Sequence, residues 1–389
     1  MQTRSRVPLP VAALAVLALL AGCAPEPPAP SPSSSRTASA TPTPTPTRTV
    51  DPIAGMSLED RVGQLFMVGT SVDGVTPETL AAVQSQRIGG VFLHGRSSAG
   101  VDATSSLVSQ FTGANPTTSP ALWVATDQEG GDVQVLSGPG FDDIPSAVTQ
   151  ATDGCDTLRA SALGWAGSLS KAGVNMNLAP VADIVTSPDT AGENPPIGAL
   201  DREYGYDEAT VAACAGAFAQ GMRAAGVLPT FKHFPGLGRV AGNTDVSADV
   251  VDTAIGPDSP DVDVYRTLLA EGPAVVMVST AVYQQIDPAA PAAFSPPVVT
   301  GLLRGRLGYD GVVTTDDLSA AAQVQQWAPG DRAVLAIRAG VDLLLVSADP
   351  SVFPEMYDAV LKQAENDPSF AALVDASARR IVELKSSFR

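Results

Sequence analysis

Short apolar runs recur along this chain, spaced so that most gaps can hold a helix. They lie at residues 65–69, 91–93, 122–126, 174–178, 227–231, 274–278, 311–315 and 341–346. Each is apolar nearly throughout rather than in alternation, the pattern of a parallel strand covered on both faces. Helical spacing fills several gaps. Leu158, Ala162, Trp165 and Leu169 share one face of a segment over 158–172 that stops at Gly173, and 209–225 is closed by Gly226. Leu302, Leu303 and Leu307 precede the seventh run, residues 332–339 precede the eighth, and helices over 356–363 and 372–385 finish the chain. Ser57 with Asp60 predicts a capped helix before the first run, and Thr76-Pro77-Glu78 predicts an N-cap with proline at the first helical position. Strands alternating with helices in this number predict an α/β fold, a single-domain (β/α)8 TIM-type barrel over 52–389 with extended loops. An open doubly wound sheet is the competing architecture. Its dinucleotide-binding form is disfavoured because no GxGxxG follows an early strand.

The first 51 residues read differently. Arg4 and Arg6 precede an apolar stretch over 11–20, too short to span a bilayer and arranged as a signal peptide over 1–22. Leu20-Ala21-Gly22-Cys23 resembles a bacterial lipobox, which implies cleavage before Cys23 and acylation of its thiol. Residues 23–51 then form the anchor and a Pro/Ser/Thr tether with too little apolar surface to offset ordering entropy. A formal charge of −18 argues against nucleic acid as a partner and against electrostatic docking on anionic lipid, leaving the acyl anchor as the expected link to a membrane. The other cysteines, Cys155 and Cys214, can pair or remain as buried thiols; neither CxxC nor a Cys/His cluster suggests a metal.

The chemistry-bearing residues gather where the strands end. The third run leads into Asp127-Gln128-Glu129-Gly130-Gly131, the fourth into Ala179-Pro180-Val181-Ala182-Asp183, and the seventh into Asp316-Asp317. The fifth meets Lys232-His233 and then a loop with three glycines that reaches Asn243-Thr244-Asp245. In a barrel these ends converge on one mouth. Side chains alternate along a strand, so Asp316 and Asp317 are expected to face opposite sides. Carboxylates around one pocket without a metal cluster suggest glycoside hydrolysis by two carboxyl groups. A Ser-His-Asp hydrolase is disfavoured, since there is no GxSxG and the chain holds only His94 and His233.

These motifs resemble glycoside hydrolase family 3 in its bacterial β-N-acetylhexosaminidase branch. That branch carries Lys-His-Phe-Pro-Gly-His-Gly and Ser-Asp-Asp-Leu, which look like 232–238 and Thr315-Asp316-Asp317-Leu318 here. The similarity extends to 63–69, 127–131, 177–183, 302–318 and 339–342. It implies a barrel-only, retaining enzyme without metal or other cofactor, acting on oligosaccharide or cell-wall glycan. By position Asp316 resembles the nucleophile, and Asp127, Arg202, Lys232 and His233 resemble the residues that hold the sugar's hydroxyls.

Several positions depart from the family pattern. The acid/base of this branch is a histidine on the loop after strand five, two residues beyond an orienting aspartate; those places hold Asp245 and Asn243. The histidine of Pro-Gly-His-Gly is Leu237, and arginines expected after Gly131 are Asp132 and Val135. Two readings follow. In one, Asp245 serves as acid/base of an active, exported glycosidase, a β-N-acetylglucosaminidase or hexosaminidase. In the other, the barrel is a catalytically impaired, lipid-anchored sugar-binding or scaffold protein; β-glucosidase, transferase and phosphorylase activities are weaker alternatives.

Overall fold

The computed structural model describes residues 51–388. The signal peptide and Cys23 lie outside the described residues. Of the expected tether only Asp51 is described, its carboxylate paired with Arg379.

Eight parallel strands form one sheet: β1 (Phe66–Ser71), β2 (Gly90–His94), β3 (Trp123–Thr126), β4 (Met176–Asn177), β5 (Leu228–Phe234), β6 (Val275–Val278), β7 (Val313–Thr315) and β8 (Leu344–Val346). Each pairs with its neighbour in sequence from β1 through β6 to β7, and β1 also pairs with β8. A parallel bridge between Thr314 and Leu343 joins the remaining edges. The sheet therefore closes on itself, and the (β/α)8 expectation holds.

The strands close because their residues prefer burial on both faces. Val68, Leu93, Val124, Met176, Leu228, Val276, Val313 and Leu344 are all essentially inaccessible. Each such side chain contributes roughly 1.5–3 kcal/mol relative to leaving it in water. Helices Cys155–Lys171 and Glu208–Ala224 cover β3, β4 and β5 from outside and are joined by a disulfide between Cys155 and Cys214. That settles the pairing left open by the sequence. Cross-linking a loop of this size constrains the unfolded chain, typically by roughly 2–4 kcal/mol. Helix Glu208–Ala224 starts where Asp207 accepts from the Thr210 amide, and Ser57 likewise accepts from Asp60 N at 3.1 Å. Thr76 stands at its N-cap position without a side-chain cap; its hydroxyl is engaged by Thr70 at 3.1 Å instead.

Some boundaries move. β5 continues through Lys232 and His233 to Phe234, where the sequence reading ends the strand at residue 231. The cause is a neighbour: the chain leaving β4 runs alongside, with Val181 bridged to Lys232 and Ala182 N donating to Lys232 O. β4, β7 and β8 are shorter than their apolar runs. Helices Gly100–Ala114 and Pro260–Leu269 are additions, the former built largely of small and polar residues whose apolar stripe is only Leu107, Val108 and Phe111 on its buried side.

Candidate active site

The polar strand ends do converge, and each is held by a neighbour. Asn177 of β4 accepts from the Gln128 amide at 3.0 Å and donates to the Gln128 carbonyl at 3.1 Å, which fixes the turn after Asp127. Gly130 follows with φ of 113°, and a Cβ there would lie 2.2 Å from Pro145 O, so the turn requires glycine. Glu129, on this turn, is buried between two cations. Its carboxylate accepts from Arg202 Nε at 2.8 Å and Nη2 at 2.7 Å, and from Lys232 Nζ at 2.6 Å. Lys232 also reaches Asp127 at 2.7 Å. Burial would raise Glu129, but Arg202 and Lys232 overcome it and hold the carboxyl at about 2. Burial likewise opposes the Lys232 ammonium, and Asp127 and Glu129 more than offset it, so its value is raised. These groups form a charge-paired chain on the barrel wall, kept ionised by one another.

On the other side of Lys232, the loop after β5 is tied down by Asp183. One Asp183 oxygen accepts from the amides of His233 at 3.1 Å and Leu237 at 2.7 Å; the other meets His233 Nδ1 at 2.8 Å. Asn194 donates to the carbonyls of Leu237 and Val240, both at 2.8 Å. A Cβ on Gly238 would sit 2.2 Å from Ile184 O, which explains the second glycine of the loop.

Asp316 and Asp317 differ in what surrounds them, although both line the cavity. The expectation of opposite faces fails because β7 ends at Thr315, before either residue. Asp317 accepts from Ser319 N, Ser319 Oγ, Ala320 N and Ser347 N at 2.6–3.0 Å, so it braces the following turn. Asp316 accepts only a 2.8 Å bond from the Asp317 amide. Across the cavity stands Asp245, its amide bonded to Asn243 Oδ1 at 2.9 Å. Its outer side is open to solvent, yet its carboxyl is crowded by the cleft. That desolvation, then the Asp316 carboxyl, push it up to about 6, against the opposing pull of His233 and Arg202.

One cavity of about 470 Å³ is lined by Asp127, Arg202, Lys232, His233, Asp245 and Asp316, a volume suited to a small-molecule ligand. All six expected polar site residues therefore meet in one place. Residues 57–384 match the family described as glycosyl hydrolase family 3 N terminal domain. The chain belongs to glycosyl hydrolase family 3. It is a glycoside hydrolase by that membership. It is 33% identical over 347 residues to beta-hexosaminidase LpqI of Mycobacterium tuberculosis, covering 85% of this chain and 83% of that one. Identity to a beta-hexosaminidase of Stenotrophomonas maltophilia is 31%, over 81% and 92% of the two chains. The crystal structure of a beta-N-acetylhexosaminidase from Beutenbergia cavernae superposes with a TM-score of 0.84 at 56% identity, covering 86% of this chain and 99% of that chain.

The departures from the family pattern take physical form. Leu237 presents an apolar wall where a ring nitrogen is expected, and it is buried. Asp132 is exposed and does not line the cavity. Among the described residues that line it, Arg202 and Lys232 are the permanent cations. His94 ends β2 away from this cavity's lining, and His233 Nδ1 is committed to Asp183.

Sequence reasoning quoted the motif containing Glu129 without giving that residue a task. Its signal was available: an acid two residues beyond Asp127, facing the same strand end as Lys232. Removing its charge leaves two cations buried side by side, a loss that typically costs several kcal/mol. Glu129→Gln should lower kcat/KM by about 100-fold, mostly through KM, as Arg202 and Lys232 separate. Initial rates across substrate concentrations check this; an unchanged KM would mean that the cations keep their places without it.

Proposed function

We propose that the protein is a retaining β-N-acetylhexosaminidase, exported and lipid-anchored through Cys23, acting on cell-wall or environmental oligosaccharides. The observation that carries the reading is the presence of Asp316 and Asp245 in one cavity, with Asp245 shifted into the range where a carboxyl stays protonated. The relatives named beta-hexosaminidase support the choice of sugar.

In the first step the Asp316 carboxylate attacks the anomeric carbon as the glycosidic C–O bond breaks. The bond's electron pair goes to the leaving oxygen, which takes the proton from Asp245. In the second step the ionised Asp245 takes a proton from water, whose oxygen attacks the same carbon and releases Asp316. The sugar thus keeps its anomeric configuration. Asp127, Lys232, Arg202 and His233 hold the ring's hydroxyls, with Asp183 orienting His233. Asp317, spent on four hydrogen bonds, keeps the Asp316 turn in shape.

An ordinary aspartyl group, at about 3.9, would be almost wholly ionised near neutrality. With Asp245 at about 6 the protonated form dominates below that value and is lost as pH rises through it. The kcat/KM of the intact enzyme should therefore fall on the alkaline side with an apparent pKa near 6. Asp245→Ala should remove that limb, and should cost about 10²–10⁴ in kcat/KM on substrates with poor leaving groups while sparing activated aryl glycosides. Azide should restore turnover of the activated substrates as a glycosyl azide of retained configuration. Unchanged hydrolysis of unactivated substrates by Asp245→Ala would place the acid elsewhere and leave the sugar-binding reading ahead.

The nucleophile has its own test. Asp316→Ala should lose several orders of magnitude in kcat on every substrate while its unfolding transition stays near that of the parent. If Asp317→Ala were the inactive, well-folded variant instead, the two roles would be reversed.

The anchor is argued from residues 20–23 alone. A single cysteine carrying acyl chains holds a protein at a membrane without spanning it. Cys23→Ala should move the protein from the membrane to the soluble fraction; retention after a high-salt wash would count against acylation at that site.

A further inference from the structure

The loop that carries Asp245 is not free at its far end. Its backbone is fastened to the loop that carries Asp316: Ala322 N donates to Asp245 O at 3.0 Å and Gln323 N to Thr244 O at 3.1 Å. The Gln323 side chain adds a two-way bond to Val250, its Oε1 accepting from Val250 N at 2.8 Å and its Nε2 donating to Val250 O at 3.2 Å. Gln323 is buried, as are Thr244 and Val250, whereas Val246 between them is 78% exposed. The loop is thus a bulge into solvent pinned at both shoulders. The partner loop is itself fixed, since Arg332 donates to the carbonyls of Leu318 at 2.8 Å and Ser319 at 3.1 Å, and to Gln325 Oε1 at 2.9 Å.

An expectation attached to this loop was that, without substrate, Asp245 could stand far from Asp316. The hydrogen bonds place both on one cavity with no ligand present. We infer that Gln323 is a positioning residue for the acid/base: by clasping Val250 it holds the Asp245 loop closed over Asp316 before substrate arrives. The inference rests on the reading of Asp245 given above. A buried amide that satisfies a backbone N–H and C=O seven residues past Asp316 is well suited to this. Losing it leaves both Val250 groups without their partner and frees one shoulder of the loop.

The groups around the Asp245 carboxyl are Asp316 and Asp317 from the β7 loop, His233 from β5 and Arg202 from the segment before helix Glu208–Ala224. If the loop swings away, Asp245 escapes the burial and the Asp316 carboxyl that hold its proton. Its value then falls toward that of an ordinary aspartate, and the alkaline limb of kcat/KM moves to lower pH.

The test uses Gln323→Ala and Gln323→Met in the folded enzyme. Both should exchange amide hydrogens faster over residues 242–250 and lose at least about tenfold in kcat/KM on an unactivated disaccharide, since small displacements of a reacting group are costly. On an activated aryl glycoside kcat/KM should change by less than about threefold, and on the disaccharide the alkaline limb should shift to lower pH. A purely structural role would depress both substrates alike and leave the limb in place, which would overturn the inference. Wild-type exchange gives a second measurement that needs no variant. Val250, Ala322 and Gln323 amides protected like those of the barrel strands support the clasp, and exchange as fast as that of the exposed loop tip overturns it. The two readings separate cleanly. If Asp245→Ala is impaired but the Gln323 variants are not, only the clasp falls; if Asp245→Ala is itself unaffected, the acid assignment falls first.

Discussion

A buried carboxylate at the closing seam governs whether this sheet is a barrel at all. Asp342, fully inaccessible, precedes β8 and accepts from the Val313 amide at 2.9 Å, from Arg304 at 2.6 Å, from Ser377 at 2.8 Å and from Arg380 at 2.9 Å. Beside it, the amides of Asp342 and Leu343 both donate to Val313 O, and Thr315 N donates to Leu343 O. Last strand, seventh strand, the helix between β6 and β7 and the C-terminal helix thus share one charge-assisted junction. An ionised carboxylate in an apolar interior is tolerated only when its acceptor capacity is filled, as it is here. Opening the seam would leave eight strands in an open sheet, and the polar ends would no longer face a common cavity.

The same rule operates at the mouth with a different result. Glu129, Arg202, Lys232 and Asp127 neutralise one another in a chain, so their charges are permanent and their positions fixed. Glu129 shows the direction of this linkage. Its carboxyl lies below its usual 4.5, so its contribution to stability is present above that pH and is lost as pH falls toward about 2. Asp245 faces the opposite situation. Crowding in the cleft and a like charge push it upward, which suits a group that must both give and take a proton. The cavity thus separates a fixed-charge wall that binds from a single carboxyl poised to titrate.

Much of this was readable in the chain because apolar runs covered on both faces leave an unmistakable pattern, and because the polar motifs stand where those runs stop. Asp127, Lys232, His233 and Asp316 could be placed at one mouth from order alone. Other features were out of reach for physical reasons. The extension of β5 to Phe234 depends on a neighbour arriving from β4, which no local propensity carries. The failure of strict alternation at Asp316 and Asp317 depends on where a ladder ends, and β7 stops one residue early. The pairing of Cys155 with Cys214 required knowing that two helices lie side by side. Glu129 and Asp342 were seen as parts of motifs, but a carboxylate's task is set by the donors around it, and those come from distant segments.

The replacement of a histidine by Asp245 makes the stillness of its loop a chemical matter. An imidazole has an ordinary value near 6.5, so it can leave the cavity and return with its proton still available at neutral pH. An aspartate cannot, because in water its ordinary value is about 3.9 and it would ionise on leaving. Returning as an anion, it would meet the Asp316 carboxylate and be repelled at the moment its proton is needed. A carboxylic acid in this role therefore works only if the cleft around it persists between turnovers. The backbone bonds from Ala322 and Gln323, together with the Gln323 clasp on Val250, supply that persistence by making the loops of the two carboxyl groups one unit.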